Sequence, residues 1–366
     1  MKVLHILYSG LGGHGNVFFS MVEADRKKEY CFEALFTGVE AVREEYINRC
    51  IKNNIPFTYL NKKSGKKHLS FFYRVFKSVL KSNADIIFIH GSMMLLPVWV
   101  AKKIGFSNKK IIVRETQAIH LKTTREKAAL KVAMKLADKI VFLSKEYREQ
   151  IKFQFGKKYK PDKIEVIPNG INLDKFKPNN CQKDPEKILI GMQSRIVSIK
   201  DHKTLIAAFG VLLNKYPTKN IILKLAGDGE SKAALEKQVE EQRLINKVLF
   251  FGLLPEALLP EFLNSLDIYI HASFGETMST AIMQAMACGK AIIASDVPGI
   301  NNMIEDGSNG ILIKLQSESE MVSAIEMIMN DPAIKLKLET EALKTAEEKF
   351  SKESMFLSYK NIFNEN

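Results

Sequence analysis

Short apolar runs alternate with helical patterns along the whole 366-residue chain. This alternation is typical of βαβ units, in which successive strands lie parallel and each helix packs back on the sheet. Thirteen runs are predicted as strands. They fall in two series, at 3–8, 32–37, 56–60, 85–90, 110–114, 139–143 and 163–167, and then at 188–192, 221–226, 248–251, 268–271, 291–295 and 311–313.

The two series of strands predict two domains, because 366 residues are too many for one core. Between them lies KPNNCQKDPEK (177–187), whose Pro, Asn and Lys content is typical of a linker. We predict an α/β fold with two doubly wound, Rossmann-like domains at 1–180 and 181–345, facing a central cleft where the carboxyl ends of both sheets meet. A last helix, at 346–366, is expected to pack back on the N-terminal domain.

The composition fits a globular protein, with 26% charged and 46% hydrophobic residues. No apolar run approaches the roughly 18 residues of a membrane span, and the run after Met1 is interpreted as a strand and not as a signal peptide. We therefore expect a cytoplasmic protein. Its four cysteines are scattered without a zinc-binding spacing, so they are interpreted as reduced thiols.

The charge is concentrated in the first half of the chain. Residues 1–180 contain 34 Lys and Arg against 16 Asp and Glu, whereas the remaining residues carry a net negative charge. The first half should therefore face an anionic partner. Nucleic acid is not expected, because the sequence has no helix-turn-helix, RNP-type strand, zinc finger or Arg-rich tail.

A glycine loop follows the first predicted strand. Gly10, Gly12 and Gly15 have the spacing G-x-G-x-x-G, yet the acidic residue that binds a dinucleotide's ribose about 20 residues later is missing, since the second strand ends in Phe36, Thr37 and Gly38. Two interpretations stay open: a phosphate site at a helix start, or a tight turn that needs glycine.

The stretch SFGETMSTAIMQAMACGKAIIASDVPG (273–299) concentrates the candidate chemistry. It follows the strand at 268–271, so Glu276 lies at a strand's carboxyl end, where open α/β sheets bind ligands. Met278, Ser279 and Thr280 then begin a helix whose first N–H groups can meet phosphate or hydroxyl oxygens.

This stretch resembles glycosyltransferase family 4, retaining enzymes of the GT-B fold that use nucleotide sugars. The family pattern is Glu, seven residues, Glu, then Ala-Met-Ala-x-Gly; here Glu276 has the first position and Gln284 replaces the second Glu. The resemblance implies that Glu276 contacts the donor sugar and that Gln284 holds the nucleotide ribose without the charge-assisted part of that bond. The predicted donor site also includes Thr277, Met278, Ser279 and Thr280.

Other segments carry the same resemblance in the same order. SRIVSIKDHKTLIAAF (194–209) resembles the family's diphosphate-binding Arg and Lys, here Arg195 and Lys200. FFGLLP (250–255) is similar to the base-binding turn and places Leu253 there. Two cations on a diphosphate would replace Mg²⁺, so no metal and no cofactor are expected. LAGDGE (225–230) and VIPNGINLDKF (166–176) also resemble family segments.

The first domain is less similar to the family. Gly12 and Gly13 resemble glycines that approach the donor diphosphate. The family histidine is expected near Arg114, Glu115 and Thr116. His120 is interpreted either as its replacement or as an ordinary surface histidine. His90, at a strand end, is interpreted either as an acceptor or sugar contact or as a structural residue.

A probable helix in the basic half follows the lysine cluster NKKSGKK (61–67). Its apolar residues share one face at helical spacing: Leu69, Phe72, Tyr73, Phe76, Val79 and Leu80. A core helix on the first sheet and a helix lying on an anionic membrane both fit this pattern.

Taken together, the sequence predicts a metal-independent, retaining hexosyltransferase. It would move a sugar from a UDP- or GDP-linked donor to a lipid-linked or oligosaccharide acceptor in surface polysaccharide synthesis, with peripheral attachment to the inner face of the cell membrane left open. Arg195, Lys200 and Glu276 are the predicted catalytic residues. A GT-B sugar-nucleotide epimerase and a non-catalytic subunit that binds sugar nucleotide or membrane are the alternatives.

Overall fold

A computed structural model of the chain describes residues 1–10, 13–62, 68–117, 119, 122–156, 159–179 and 184–365. Two predicted site residues, Gly12 and His120, lie outside the described residues. The chain divides into two units. Unit 1 comprises Met1–Gly170 and Lys352–Asn366, and unit 2 comprises Ile171–Ser351.

Unit 1 is built on a parallel sheet. Its strands are β1 (Lys2–Tyr8), β2 (Cys31–Gly38), β3 (Phe57–Asn61), β4 (Ile86–His90), β5 (Lys110–Arg114), β6 (Lys139–Phe142) and β7 (Ile164–Val166). Within the described residues the strand order is β3-β2-β1-β4-β5-β6-β7. The chain therefore reverses its direction of winding between β1 and β4, which makes the carboxyl ends of these two strands the topological switch point.

Helices cover both faces of this sheet, which is why the central strands are apolar on both sides. The helices of the first 170 residues are α1 (Gly13–Ala24), α2 (Glu44–Lys52), α3 (His68–Lys81), α4 (Leu95–Ile104), α5 (Thr124–Leu136) and α6 (Lys145–Phe155). Their starts are encoded locally. Thr123 and Glu126 form a reciprocal capping box at α5, and the Ser144 hydroxyl accepts the Tyr147 N–H at α6.

Unit 2 has a second parallel sheet. Its strands are β8 (Lys187–Gln193), β9 (Asn220–Ala226), β10 (Val248–Gly252), β11 (Ile268–His271), β12 (Ala291–Ser295) and β13 (Ile311–Ile313). Their order in the described residues is β10-β9-β8-β11-β12-β13, so the switch point lies between β8 and β11.

The helices of unit 2 begin at polar caps or at proline. They are α7 (His202–Lys215), α8 (Lys232–Glu241), α9 (Leu259–Ser265), α10 (Thr280–Ala287), α11 (Glu318–Asn330) and α12 (Pro332–Lys349). Asp201 caps α7 and Ser279 caps α10, each by accepting a backbone N–H of the first turn. Asp331 caps α12, where Pro332 takes the first helical position.

The last helix, α13 (Lys352–Asn364), belongs to unit 1 and packs on α1. Phe356, Tyr359 and Phe363 are buried there, and the Tyr359 ring lies 5.3 Å from the ring of Phe88 in β4. The Tyr30 hydroxyl also donates to Asn364 Oδ1 at 3.0 Å. Apolar contacts and hydrogen bonds therefore both attach the carboxyl-terminal helix to unit 1.

The structure divides the chain at other residues than the predicted 180/181 and 345/346. The divisions lie at 170/171 and 351/352. The polar segment after 177 belongs to unit 2, since Asn264 accepts the Asn179 N–H and donates to the Lys177 carbonyl. Residues 346–349 complete α12 in unit 2, where Ala346 is buried.

The predicted fold class of two doubly wound parallel α/β domains is confirmed. All thirteen predicted strands occur in the described residues, and none of their ends differs by more than one residue. In the part of the chain that the structure describes, every helix is too short or too polar to span a bilayer.

The predicted core face of α3 is wrong in part. The residues buried against the sheet are Phe71, Val75 and Val79, spaced four residues apart. Leu69 and Tyr73 of the predicted face are 86% and 61% exposed. The helix has two adjacent apolar stripes, and the sheet takes the stripe that includes two residues the prediction left out.

Candidate functional site

The candidate donor site is built on the switch point of unit 2. The loop after β8 is fixed to the end of β11, because the Asp201 N–H donates to the Ala272 carbonyl at 3.1 Å and the Phe274 N–H donates to the Ile199 carbonyl at 2.9 Å. These bonds hold Lys200 beside the carboxyl end of β11. The same edge of the sheet carries the segment with Glu276.

Arg195 lies at the start of the loop after β8, which packs closely against the turn 227–229 after β9. The Ile196 N–H donates to the Asp228 carbonyl at 2.8 Å. Gly227 and Gly229 have φ values of +147° and +154°, and a Cβ on either would collide with the backbone of Ser194 or Ile196. The turn therefore requires glycine at both positions. Arg195 itself is exposed.

Lys200 and Glu276, two predicted catalytic residues, form an ion pair. His271, the last residue of β11, lies against both: its Nε2 atom is 3.3 Å from Lys200 Nζ and 3.1 Å from Glu276 Oε1. The Ser279 hydroxyl is 3.2 Å from the same nitrogen. One buried imidazole thus joins three of the predicted site residues.

The other side of the His271 ring faces Tyr269. Tyr269 OH lies 3.3 Å from the Gln193 carbonyl and 3.1 Å from His271 Nδ1. When the hydroxyl donates to the carbonyl, it accepts from Nδ1–H and Nε2 accepts from Lys200 and Ser279; when it donates to Nδ1, Nε2–H donates to Glu276 Oε1. Burial, with Lys200 and His202 nearby, holds the pKa of His271 well below its usual value, in agreement with a neutral ring.

Burial also acts on Lys200. It lowers the pKa of the ammonium group to about 7, and the positive charge of Arg195 adds to this effect. Glu276 opposes it, because a carboxylate in contact favours the charged form. In the free protein, burial and the contact with Glu276 therefore act in opposite directions on the charge of Lys200.

The turn into α10 carries the remaining donor-site residues on that segment. Ser279 caps the helix by accepting the Ile282 N–H, and Thr277 beside it is buried. The Glu276 N–H donates to the Pro298 carbonyl at 3.3 Å. Gly299 has a φ of +88°, and a Cβ there would collide with the Glu276 backbone, so the close approach of these two loops requires glycine.

Other predicted donor residues lie near this edge or outside the network. Thr280 is the first residue of α10, and Met278 precedes the cap. Gln284 is buried, 3% exposed, one turn later in α10, so it is not an ordinary exposed helix residue. Leu253 follows β10 and is exposed.

Unit 1 has histidines at its own switch point. His90 ends β4 and is buried, and its Nε2 lies 3.1 Å from Nδ1 of His5 in β1. The ring of His14, which follows Gly13 at the start of α1, is 5.5 Å from the His90 ring. The structure thus brings Gly13 and His90 to the same edge and adds His5 and His14 to them.

Burial keeps these imidazoles neutral. It lowers the pKa of His5 and of His14 to about 3, with a further effect from the Arg114 charge, and it holds that of His90 well below the usual value.

The segment in which the family histidine was expected has a structural role in unit 1. Arg114 is buried and donates to Asn169. Glu115 accepts the Ser92 N–H at 2.7 Å and forms a buried ion pair with Lys122. Thr116 Oγ1 lies 2.9 Å from His14 Nε2, so a histidine of the glycine loop contacts this segment.

Sequence reasoning missed His271, Tyr269 and His14. A signal for His271 was present, because it is the last residue of a predicted strand and directly precedes 273–299. Tyr269 shares its strand face two residues earlier. His14 lies within the glycine loop itself, where only glycines were predicted as site residues.

Two parallel α/β units with polar residues at the switch point of each define a two-domain GT-B protein. Residues 174–349 match the family described as Glycosyl transferases group 1, and residues 11–175 match Glycosyltransferase Family 4. The two matches together extend from residue 11 to residue 349. The chain therefore belongs to glycosyltransferase family 4 of the group 1 glycosyl transferases, and it is a glycosyltransferase.

Individual relatives agree with this assignment. An uncharacterized glycosyltransferase of Methanocaldococcus jannaschii is 29% identical over 80% of this chain and 78% of its own length. The Escherichia coli UDP-Gal:alpha-D-GlcNAc-diphosphoundecaprenol alpha-1,3-galactosyltransferase is 22% identical over 74% and 73%. The crystal structure of Anabaena HepE in complex with UDP and glucose superposes with a TM-score of 0.83 over all of both chains, at 18% identity.

Proposed function

We propose that this glycosyltransferase moves a hexose from a nucleotide-diphosphate sugar to a lipid-linked saccharide, with retention of the anomeric configuration, in the synthesis of a surface polysaccharide. The observation that carries the proposal is the ion pair of Lys200 with Glu276 at the switch point of unit 2. A cation for the diphosphate and a carboxylate for sugar hydroxyls stand there side by side.

The proposed donor is a UDP- or GDP-linked sugar. Two observations support it: the similar HepE was crystallised with UDP and glucose, and the E. coli relative is named for a UDP-linked donor. Lys200 would exchange part of its contact with Glu276 for the diphosphate. Glu276 would then be released to accept hydrogen bonds from the sugar, since an ionised carboxylate is an acceptor only.

In the proposed reaction, the bond between the anomeric carbon and the diphosphate oxygen breaks. The acceptor oxygen forms its bond on the same face of the sugar, and its proton passes to the leaving phosphate oxygen. Negative charge therefore grows on the diphosphate. Arg195, Lys200 and the backbone amides of 278–280 would stabilise it without a metal ion, and each well-placed donor of this kind contributes about 3 kcal/mol.

The proposed acceptor is lipid-linked because the E. coli relative is named for a diphosphoundecaprenol substrate. The basic first half of the chain supports peripheral attachment to an anionic membrane surface on the cytoplasmic side. Unit 1 contains most of that charge and is the proposed acceptor-binding domain.

The test is product analysis with purified protein. UDP- and GDP-sugars are first screened by thermal shift, because a ligand that binds the folded state raises its stability. The stabilising donor is then incubated alone and with a lipid-linked saccharide. We expect sugar transfer only with the acceptor present, and an α- or β-linkage that matches the donor's anomer in the NMR spectrum.

Two other outcomes would overturn the proposal. Conversion of the sugar without an acceptor would indicate an epimerase. Binding of the donor without turnover, over a panel of lipid-linked and soluble saccharides, would indicate a non-catalytic subunit.

A further inference from the structure

Unit 1 has an apolar groove of about 450 Å³ between α3, α4 and α5. Phe72 and Phe76 of α3 form one wall, Leu96 and Val100 of α4 another, and Val132 of α5 closes it. Its volume is within the range of small-molecule pockets, roughly 300–1,000 Å³.

The groove is open to solvent along apolar side chains. Leu96 is 58% exposed, and Leu69, Tyr73, Met93 and Val132 are exposed as well. Contiguous exposed apolar surface of this kind marks a binding site more often than a scatter of single residues does. The sheet is covered by Phe71, Val75 and Val79 of α3, whereas Phe72 and Phe76 are only partly buried against this core and also line the groove.

The groove begins at the edge that carries the switch point of unit 1. Ser92 and Met93 line one end and directly follow β4, which ends at His90. Arg125 lines the groove from the first turn of α5, the helix that follows β5. Because helices of βαβ units run antiparallel to the strands, Phe76 and Val132 lie farther from this edge.

The three helices that form the groove are strongly basic. The helices α3, α4 and α5 contain nine Lys and Arg residues and one acidic residue, Glu126. Glu126 is occupied in the capping box with Thr123. Arg125 is charged and lies among the apolar residues of the lining, at the end near β4. An anionic head with a hydrocarbon chain complements this arrangement.

We propose that the groove binds the isoprenoid chain of a polyprenyl-phosphate acceptor. Arg125 would bind the phosphate nearest the chain, and the first isoprene units would lie between Leu96, Phe76 and Val132. The saccharide beyond the phosphates would then lie at the carboxyl edge of the unit 1 sheet, near His90. This proposal rests on the proposed function, since it assigns the lipid part of the acceptor.

The test uses farnesyl phosphate, geranyl phosphate, farnesol and inorganic phosphate as probes in calorimetric titrations of the full chain. We expect farnesyl phosphate to bind with a negative heat-capacity change, at least about tenfold more tightly than geranyl phosphate, because each buried methylene strengthens binding. Inorganic phosphate should not bind measurably. Equal affinities for the two chain lengths would overturn the proposal.

Matched variants locate the site. Leu96→Glu should weaken binding of farnesyl phosphate at least about tenfold, because a carboxylate would enter an apolar and anion-binding groove. Leu357→Glu is its control: Leu357 is 61% exposed on α13 of the same unit and does not line the groove. Equal effects of the two variants would contradict the assignment.

Arg125→Ala should weaken binding of farnesyl phosphate about tenfold and leave farnesol unaffected, since only the phosphate makes charge-assisted bonds. Lys131→Ala, on the same helix and exposed, is its control. An equal loss for both probes would show that Arg125 does not bind the phosphate. Binding to anionic vesicles that Leu96→Glu leaves unchanged, with no binding of farnesyl phosphate, would instead indicate a membrane surface.

The experiments can distinguish a failure of the proposed function from a failure of this inference. Leu96→Glu should keep wild-type thermal stabilisation by the nucleotide sugar, since Leu96 is in unit 1 and the proposed donor site is in unit 2. If no nucleotide sugar binds but the chain-length and variant effects hold, the groove assignment stands without the proposed reaction. If transfer occurs to lipid-linked and soluble saccharides alike and Leu96→Glu changes neither, the reaction stands without the groove.

Discussion

The hydroxyl oxygen of Tyr269 lies 3.1 Å from Nδ1 of His271, two residues later on the same strand. The same oxygen lies 3.3 Å from the Gln193 carbonyl, and when it donates there Nδ1 carries the imidazole proton. The other nitrogen faces the ion pair of Lys200 and Glu276. His271 therefore lies between Tyr269 and two of the three predicted catalytic residues, Lys200 and Glu276.

Tyr269→Phe should remove the hydroxyl contact with His271 without leaving a large cavity in the core. Loss of one buried hydrogen bond should lower the free energy of unfolding by about 1 kcal/mol. The ¹⁵N NMR signals of His271 should shift from the Nδ1–H form towards a mixture of tautomers, and turnover should fall while the affinity for UDP changes little. An unchanged tautomer in a folded variant would contradict this role of Tyr269.

Arg195→Ala and Lys200→Ala should each lower turnover at least about 100-fold, because each removes a cation from the growing charge of the leaving diphosphate. Initial rates and thermal melting would be measured together, and the melting temperature should stay near that of the wild type. Lys203→Ala is the matched control, since Lys203 is exposed on the first turn of α7. Wild-type turnover in both site variants would refute the assignment.

The affinity for UDP should fall as the pH rises above 7. Burial lowers the pKa of Lys200 to about 7, and a bound diphosphate would raise it again. The complex would then hold a proton that the free protein has lost, so affinity decreases by up to about tenfold per pH unit. Titrations between pH 7 and 9 avoid the terminal phosphate's own ionisation near pH 6.

Lys200→Arg is the control for that pH dependence. A guanidinium group stays charged throughout the range, so the slope should disappear even if the affinity changes. A wild-type affinity that is constant from pH 7 to 9 would show that Lys200 remains charged in the free protein.

The sequence was sufficient for the fold because the fold depends on local periodicity. The strands of the described residues were predictable, since runs such as 86–90 and 291–295 are fully buried and are apolar except at their last residue. The boundaries between the two units were harder to predict from the sequence. Whether residues 346–349 end one helix or begin another depends on tertiary contacts of Ala346, which no local pattern contains.

The candidate site was predictable where it follows strand ends and helix starts. Glu276 and Lys200 are named by that rule and by family resemblance, and they are in contact. His271 and His14 were not named, because a histidine's role depends on which neighbours the fold supplies. For the same reason, the sequence does not show which of the two apolar stripes of α3 is buried, because that depends on how the helix packs on the sheet.

Unit 1 should begin to lose stability as the pH falls below about 6.5, before its carboxylates become protonated. His5 and His14 have a folded-state pKa of about 3 against 6.5 for a free histidine, and that of His90 is also lowered. Between these values the unfolded chain binds more protons, so stability is complete above pH 6.5 and decreases as the pH falls towards 3. Each histidine contributes up to about 1.4 kcal/mol per pH unit.

The measurement is the thermal unfolding midpoint at pH 7, 6 and 5. The wild-type midpoint should decrease at each step, and His5→Gln should reduce the slope because glutamine keeps a hydrogen-bonding group but does not titrate. A midpoint that does not change between pH 7 and 5 would mean that folding does not lower the pKa of these imidazoles.

The carboxyl-terminal helix offers the most direct test of how unit 1 is completed. Phe363 is buried on α13 and packs 5.3 Å from the Tyr30 ring, whereas Leu357 on the same helix is exposed. Phe363→Ala should lower the free energy of unfolding by roughly 3–5 kcal/mol, since it leaves a cavity in the apolar cluster around β1 and α1. Leu357→Ala should change it by less than about 0.5 kcal/mol. Chemical denaturation followed by circular dichroism would compare the two variants, and equal small effects would show that α13 is not part of the core of unit 1.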